Sequence, residues 1–360
     1  MIKKEYRSYL TVTILSFIGG VLLYLFFFSS SQPELHSVDR PQYHRTAFPF
    51  HLERDAMFSV ANDTIYRGMS ITSNSSSFFI TDFGDGFVKQ FDRFGAYKGA
   101  IGQGEGRGPG EFLNMTNMFA SDDEIWISDV QALRITRFSL SSGEFDLYPL
   151  ERRPMRVAAN DSLVVIMWIM AESMFSLYDK SGNKLFDFEH PSIIPIDDQM
   201  AFDGWITLSD NHMLYIPRNY GAIFGFDLTT GKHDFTISTP DGGPLPASEQ
   251  RAETGRLVTI APNTRVRNTD IEYVRESGKL VVSVFDQGEP QADGSFDAEN
   301  HTFWLDIYDI ANPAYLYSFE LPHIVSSFTF LDDYFLIYSS TSARGLSYIM
   351  DSSFRTLIFE

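Results

Sequence analysis

Cysteine is absent from all 360 residues, which excludes disulfides, thiolate chemistry, zinc ribbons and lipid attachment through an N-terminal cysteine. Positive charge is scarce. The chain has 28 Lys and Arg against 47 Asp and Glu, a net charge of −19, and the first 30 residues with Lys3, Lys4, Arg7 and Glu5 are locally positive. The rest is therefore more acidic still. Nucleic acid is bound by neutralising phosphates with Lys and Arg, so an acidic surface of this kind argues against it and against an anionic membrane surface. Solubility is the plain reading of the acidity. There is no His-x-x-x-His pair, no Gly-x-Ser-x-Gly, no Gly-Lys-Ser/Thr loop and no long amphipathic helical pattern. What the chain does have is apolar mass: 44% hydrophobic and 15% aromatic residues, enough to offset the entropy of ordering a core.

One long apolar run stands at the N-terminus. Lys3, Lys4 and Arg7 precede Thr11 to Phe28, which carries no charge and includes Val21-Leu22-Leu23-Tyr24-Leu25-Phe26-Phe27-Phe28. At about 1.5 Å per residue such a helix approaches the thickness of the hydrocarbon layer, whereas a cleaved signal has an apolar stretch of about 7 to 15 residues. The positive flank stays inside. The expected organisation is a short cytoplasmic basic segment at 1–10, a transmembrane signal anchor at 11–28, a linker at 29–45 and one large domain at 46–360 outside the cytoplasm, periplasmic or on the cell surface. Ser29 and Ser31 are small enough for cleavage, which is the alternative to a retained anchor.

The large domain repeats. A strand-like run ends in an aromatic residue, often followed by a polar residue and then a Gly or Asn turn, as in Phe91-Asp92-Arg93-Phe94-Gly95, Phe138-Ser139-Leu140-Ser141-Ser142-Gly143 and Tyr178-Asp179-Lys180-Ser181-Gly182. It returns at Phe226-Asp227-Leu228-Thr229-Thr230-Gly231 and Tyr308-Asp309-Ile310-Ala311-Asn312, and in degenerate form at Ile349-Met350-Asp351. The lead residues are 47, 40, 48, 82 and 41 positions apart. Four intervals match a four-stranded propeller blade of about 40 to 50 residues, and the long one is a blade plus an insertion. All-β architecture is expected, a six-bladed β-propeller of four-stranded antiparallel blades behind one N-terminal transmembrane helix. Continuous apolar runs such as Leu163 to Met170 suit strands covered on both faces by neighbouring blades. Ring closure should bring Ala47 to Leu52 close to Arg355 to Phe359, in one sheet.

The stretch from Phe91 to Phe112, with its Phe-Asp-x-x-Gly turn, Ile101-Gly102 and Gly108-Pro109-Gly110-Glu111-Phe112 ending, resembles NHL-type repeats and, more closely, six-bladed β-propeller proteins among exported bacterial proteins. The resemblance covers about residues 60 to 360, with the first two blades matching by motif and the later four by period. The Asn-x-Arg loop usual after the blade Asp is missing here.

No constellation identifies a reaction. Gly102, Gly104, Gly106, Gly108 and Gly110 fit no phosphate-binding spacing and read as a blade-to-blade turn. His36, His44, His51, His190, His212, His233, His301 and His323 are scattered, and no metal or cofactor is implied. Asp82 and Asp129 occupy equivalent positions, each nine residues before the terminal aromatic, and read as strand-end caps. Sequons at Asn62, Asn74, Asn114, Asn160 and Asn300 reflect a polar surface. Catalytic and binding residues stay unassigned. The expected function is a membrane-tethered binding or scaffold module for a protein, peptide or glycan partner at a propeller face, the alternative being an exported lyase or hydrolase at the axial channel. Two long departures from the blade period, Pro240 to Arg267 and Asp286 to Asn300, are the expected functional loops.

Overall fold

The computed structural model describes residues 45–48, 52–56, 64–168, 171–242, 245–253, 256–260, 264–288, 291, 296, 301–322, 324–332, 334–339, 344–350, 355, 358 and 359. The expected membrane segment 11–28, and all but the last residue of the expected linker, lie outside these. Among the described residues no helix is long and apolar enough to cross a membrane.

Five four-stranded antiparallel sheets are each drawn from consecutive strands. From inner to outer strand, blade 1 is Gly68–Ser73, Ser77–Asp82, Phe87–Asp92 and Tyr97–Ile101, and blade 2 is Met115–Ala120, Glu124–Asp129, Arg134–Ser139 and Phe145–Pro149. Blade 3 is Pro154–Ala159, Leu163–Trp168, Phe175–Asp179 and Lys184–Asp187; blade 4 is Gly204–Leu208, His212–Pro217, Ala222–Asp227 and His233–Ser238. Blade 5 is Val266–Val274, Lys279–Asp286, Thr302–Asp309 and Ala314–Leu321. The sixth sheet is composite. Ser327–Leu331, Tyr334–Ser339 and Arg344–Met350 are completed by Leu52–Ala56, paired with Leu52 opposite Met350 and Glu53 opposite Ile349. Each inner strand packs beside the next, and the inner strand of the sixth sheet packs beside that of blade 1. The ring is closed.

All six repeat leads sit at the penultimate position of a third strand: Phe91, Phe138, Tyr178, Phe226, Tyr308 and Ile349. The reason for the repeat is visible in the turn that follows. Asp92 Oδ1 accepts the backbone N–H groups of Phe94 and Ala96, Asp179 those of Ser181 and Asn183, Asp227 those of Thr229 and Thr230, and Asp309 those of Ala311 and Asn312. Gly95, Gly143, Gly182 and Gly231 then hold φ between 70° and 85°, a conformation a Cβ would strain.

Apolar residues pack in six separate clusters, one at each junction between neighbouring blades. The junction of blades 4 and 5 joins Leu214, Ile216 and Ile223 to Leu280, Val282 and Tyr308. The closing junction joins Ile71, Phe78 and Ile80 to Leu331, Leu336 and Tyr338. Alternate residues of a second strand therefore point to different neighbours, Met213 and Tyr215 into the blade 3 junction and Leu214 and Ile216 into the blade 5 junction. That is why these strands read as unbroken apolar runs.

Two expectations are corrected. Among the described residues the strand sealing the ring is Leu52–Ala56 against Arg344–Met350, not a pairing with 355–359. Ile358 instead lies in the cluster between blade 5 and the sixth sheet, with its carbonyl accepting from Ser277 Oγ. Pairing demands a partner strand with free backbone groups at the sheet edge, and the third strand of the sixth sheet supplies it. The first long departure also ends earlier than expected, because Val266 and Arg267 begin the inner strand of blade 5, and it contains a hairpin, Glu249–Glu253 with Arg256–Ile260.

Candidate functional site

In an antiparallel blade, the connection from second to third strand and the exit from the outer strand leave at the same end of the sheet. Both long departures obey this: one follows the outer strand of blade 4, the other joins the second and third strands of blade 5. They leave from one face, and their described ends meet there. Gln287 donates its backbone N–H to the Arg265 carbonyl at 2.9 Å and its side-chain amide to the Thr264 carbonyl at 2.6 Å, while Arg265 pairs with Asp286 at 3.0 Å. Beside them a cavity of about 510 Å³ is lined by residues of 219–221, 239–247 and 264–268, including Tyr220, Asp241 and Leu245.

A second cavity, of about 270 Å³, lies on the ring axis and is lined by all six inner strands. Most of its polar wall is hydroxyl and amide: Ser70, Thr72, Asn117, Thr207, Ser327 and Thr329. Two carboxyls stand out, Asp270 and Glu272, on alternate positions of the blade 5 inner strand. Asp270 accepts from Ser327 Oγ and from the backbone N–H groups of Ile271 and Phe328, and Glu272 from the Phe330 N–H at 3.4 Å. Enclosure raises Asp270 to about 6 against the pull of these hydrogen bonds and of Arg156. Enclosure first, and then the Asp270 charge, raise Glu272 to about 8. At the far end Arg275 pairs with Asp210 at 3.3 Å.

Glu272 thus favours its neutral form in the folded state. Stability contributed by that form is fully present below the unfolded value near 4.5 and is lost as pH rises through about 8. Glu272→Gln should therefore stabilise the domain at pH 9 by up to about 5 kcal/mol, because each tenfold difference in proton affinity between folded and unfolded chain is worth roughly 1.4 kcal/mol and the two values lie about 3.5 pH units apart, and change little at pH 4. Urea melts at both values check this, and equal midpoints at pH 9 would refute it.

On the face bearing the departures, the channel rim is cationic. Arg156 opens the blade 3 inner strand and Arg218 the 217–221 connection of blade 4, and their guanidinium carbons lie 4.3 and 5.4 Å from the centre of the Trp205 ring. Trp205 is fixed by its own Nε1 donating to the Asn268 carbonyl at 3.0 Å. Asp203 is shared between the two arginines, at 3.5 Å from Arg156 and 3.2 Å from Arg218. Burial lowers the Arg156 pKa, Asp203 opposes that and Arg218 adds to it.

The residues singled out from sequence have structural roles. Asp82 accepts from the backbone N–H groups of Tyr66, Arg67 and Gly84, and Asp129 from those of Leu113, Asn114, Gln131 and Ala132, so each ties the end of a second strand to the chain entering its blade. The glycine run links blades 1 and 2, where Gln103 N–H donates to the Gly110 carbonyl and Arg134 donates to the carbonyls of Arg107 and Glu111. A Cβ on Gly110, at φ 76°, would meet the Phe145 ring at 2.9 Å. His190 bonds the Ile194 carbonyl, His212 pairs with Asp234 and His233 bonds Thr236, each locally. Among the described residues no three His, Asp or Glu gather as metal ligands. Sequence reasoning passed over Asp270, Glu272, Arg156 and Trp205. The available signal was the polar alternation Asp270-Ile271-Glu272 at the start of a blade.

Residues 69–148, essentially blades 1 and 2, match a family described as a 6-bladed beta-propeller. No curated protein matches the sequence. Among solved structures, the chain is similar to a streptogramin B lyase, at 14% identity and TM-score 0.52, covering 84% of this chain and 98% of that one. It is also similar to a member of the DUF4221 family from Bacteroides vulgatus, at 9% identity and TM-score 0.51, covering 86% and 98%. Hydrazine synthase of Kuenenia stuttgartiensis gives 12% identity and TM-score 0.51, covering 82% and 79%. At these identities the likeness is one of fold. With six four-stranded sheets closed about one axis, the chain folds as a six-bladed β-propeller.

Proposed function

We propose that this protein is a membrane-tethered, extracytoplasmic propeller that binds a protein, peptide or glycan partner on the face carrying its two long departures. The observation that carries this reading is their convergence: 264–265 and 286–287 are stitched together beside the cavity lined by Tyr220, Asp241 and Leu245. Loops that a rigid ring gathers at one place are where binding concentrates. The uncharged run 11–28, behind Lys3, Lys4 and Arg7, supports the tether.

Fractionation of cells expressing the full chain should leave it in the membrane pellet, with the propeller open to protease added from outside. Replacing Gly288 to Asp297 with a short Gly-Ser turn should leave the melting temperature nearly unchanged, because loop-closure entropy varies slowly with length, and should abolish partner capture. A stable variant that captures every partner as before would remove this face from the function. The alternative, an exported lyase or hydrolase working in the axial channel, draws on Asp270 and Glu272, enclosed carboxyls whose raised pKa values suit proton transfer. Under that reading Glu272→Gln abolishes turnover while capture persists; under the binding reading it alters neither.

A further inference from the structure

We infer that the outer edge of blade 5 is a strand-addition site for an extended, arginine-bearing segment of a peptide partner, filled in the resting chain by its own residues Arg45 to Phe48. The inference rests on the binding reading of the adjoining face and names the chemistry of the partner.

Blade 5 is complete with four antiparallel strands, yet its outer strand Ala314–Leu321 gains a further, parallel neighbour. Ser318 donates its N–H to the Thr46 carbonyl and accepts from the Phe48 N–H, each at 3.0 Å, with Ala47 bridged opposite it. Thr46 donates its own N–H to the Tyr315 hydroxyl at 3.1 Å. Among the described residues no other blade is extended in this way. Side chains at both ends complete the contact. The Phe48 and Tyr317 rings lie 5.2 Å apart, centre to centre. At the other end Arg45 meets both oxygens of Asp306 through Nε and Nη2 and both oxygens of Asp241 through Nη1 and Nη2, and stands over the Trp304 ring. Ser318 Oγ donates to Asp306 Oδ1 at 2.6 Å, so the residue that pairs with the segment's backbone also fixes a carboxylate that holds its arginine.

In strand addition, main-chain pairing supplies affinity and side-chain pockets supply specificity. The pocket here demands a guanidinium. One planar fork satisfies two carboxylates bidentately, which the point charge of lysine cannot do. Asp306 is fully buried, whereas the Asp241 side chain keeps 11% exposure beside Arg45, so the pocket reaches solvent on that side. Asp286, whose charge also bears on Asp241, is paired with Arg265. Vacating the pocket therefore leaves two carboxylates without their cation, in a chain whose net charge of −19 draws cationic segments toward it. The chain's own segment holds the site at a high effective concentration. A partner displaces it by making contacts beyond four residues, and the face cavity that shares Asp241 adjoins the pocket.

The test uses the full-length protein in detergent, with Arg45→Ala and Phe48→Pro combined to take the guanidinium and the pairing N–H from the resident segment. Titration calorimetry follows the peptide acetyl-Arg-Thr-Ala-Phe-amide. It should bind this variant saturably, Arg45→Ala alone less tightly, and the wild type at least about tenfold more weakly, because the resident segment competes. Replacing the peptide's arginine with lysine, or methylating the phenylalanine nitrogen that would pair with the Ser318 carbonyl, should weaken binding about tenfold. Adding Asp241→Asn to the variant should do the same. If the variants unfold on their own, refolding with the peptide should restore their melting transition. No binding to a folded variant, no rescue of an unfolded one, equal binding by the lysine or N-methyl peptide, or equal binding by wild type and variant would each overturn the assignment. Peptide binding judges the edge site alone, while partner capture by the loop replacement at Gly288 to Asp297 judges the face.

Discussion

Replacing Arg45 with Ala should destabilise the propeller by about 3–5 kcal/mol at pH 7, the cost of leaving buried charges without their partner. Arg45 lies just ahead of the ring and reaches between blades 4 and 5. Its Nε and Nη2 donate to Asp306 at 3.0 Å each, and Nη1 and Nη2 to the two oxygens of Asp241, at 2.7 Å for Nη1. The guanidinium also stands 5.3 Å from the centre of the Trp304 ring. Asp306 is fully buried in the third strand of blade 5, and Asp241 belongs to the departure after blade 4. Burial raises Asp241 to about 6 against the pull of Arg45. Without Arg45, Asp241 takes up its proton still more readily, so the deficit of the variant should shrink as pH falls from 7 to 4. Denaturant midpoints at the two values measure this. A deficit under 1 kcal/mol at pH 7 would mean that the pair contributes nothing net. The same contact fixes Arg45 to the wall of the face cavity, since Asp241 lines it.

Truncation after Asp351 should cost at least as much as a buried large-to-small change, about 2–5 kcal/mol. It removes Ile358, which is wholly buried among Val281, Leu305, Phe328 and Phe335, and Phe359, which packs partly against the same cluster. The lost apolar contact sits at the junction between blade 5 and the sixth sheet, beside the composite seal. Ile358→Ala in the full chain isolates the packing contribution, while the truncation adds the loss of the Ser277 hydrogen bond to the Ile358 carbonyl. An unchanged midpoint in both proteins would show that the C-terminal residues do not support closure.

Much of the ring was legible because its repeat is local. The Phe-Asp-x-x-Gly turn is written in five adjacent residues, since the Asp caps backbone N–H groups two to four positions on and the Gly takes a positive φ within the same turn. A period of 40 to 48 residues then counted blades without any knowledge of how they meet. The apolar second strands were equally readable, because burial on both faces removes polar alternation. Closure was read only in outline. Which strand would seal the last sheet depends on an unpaired edge nearly 300 residues from Leu52, and edges carry no local signature.

The candidate site shows the same division more sharply. The sequence by itself determined the blade architecture and the position of the two long departures, because turns, strand faces and periods are short-range properties of the chain. It could not single out Asp270 and Glu272 among 47 carboxylates, or place Arg156 beside Trp205 and Arg218. Only the tertiary structure decided those, because a propeller brings one strand from every blade to a single axis. Enclosure there changes the protonation of a carboxyl and leaves an arginine short of partners, and both depend on distances between residues that the chain keeps far apart.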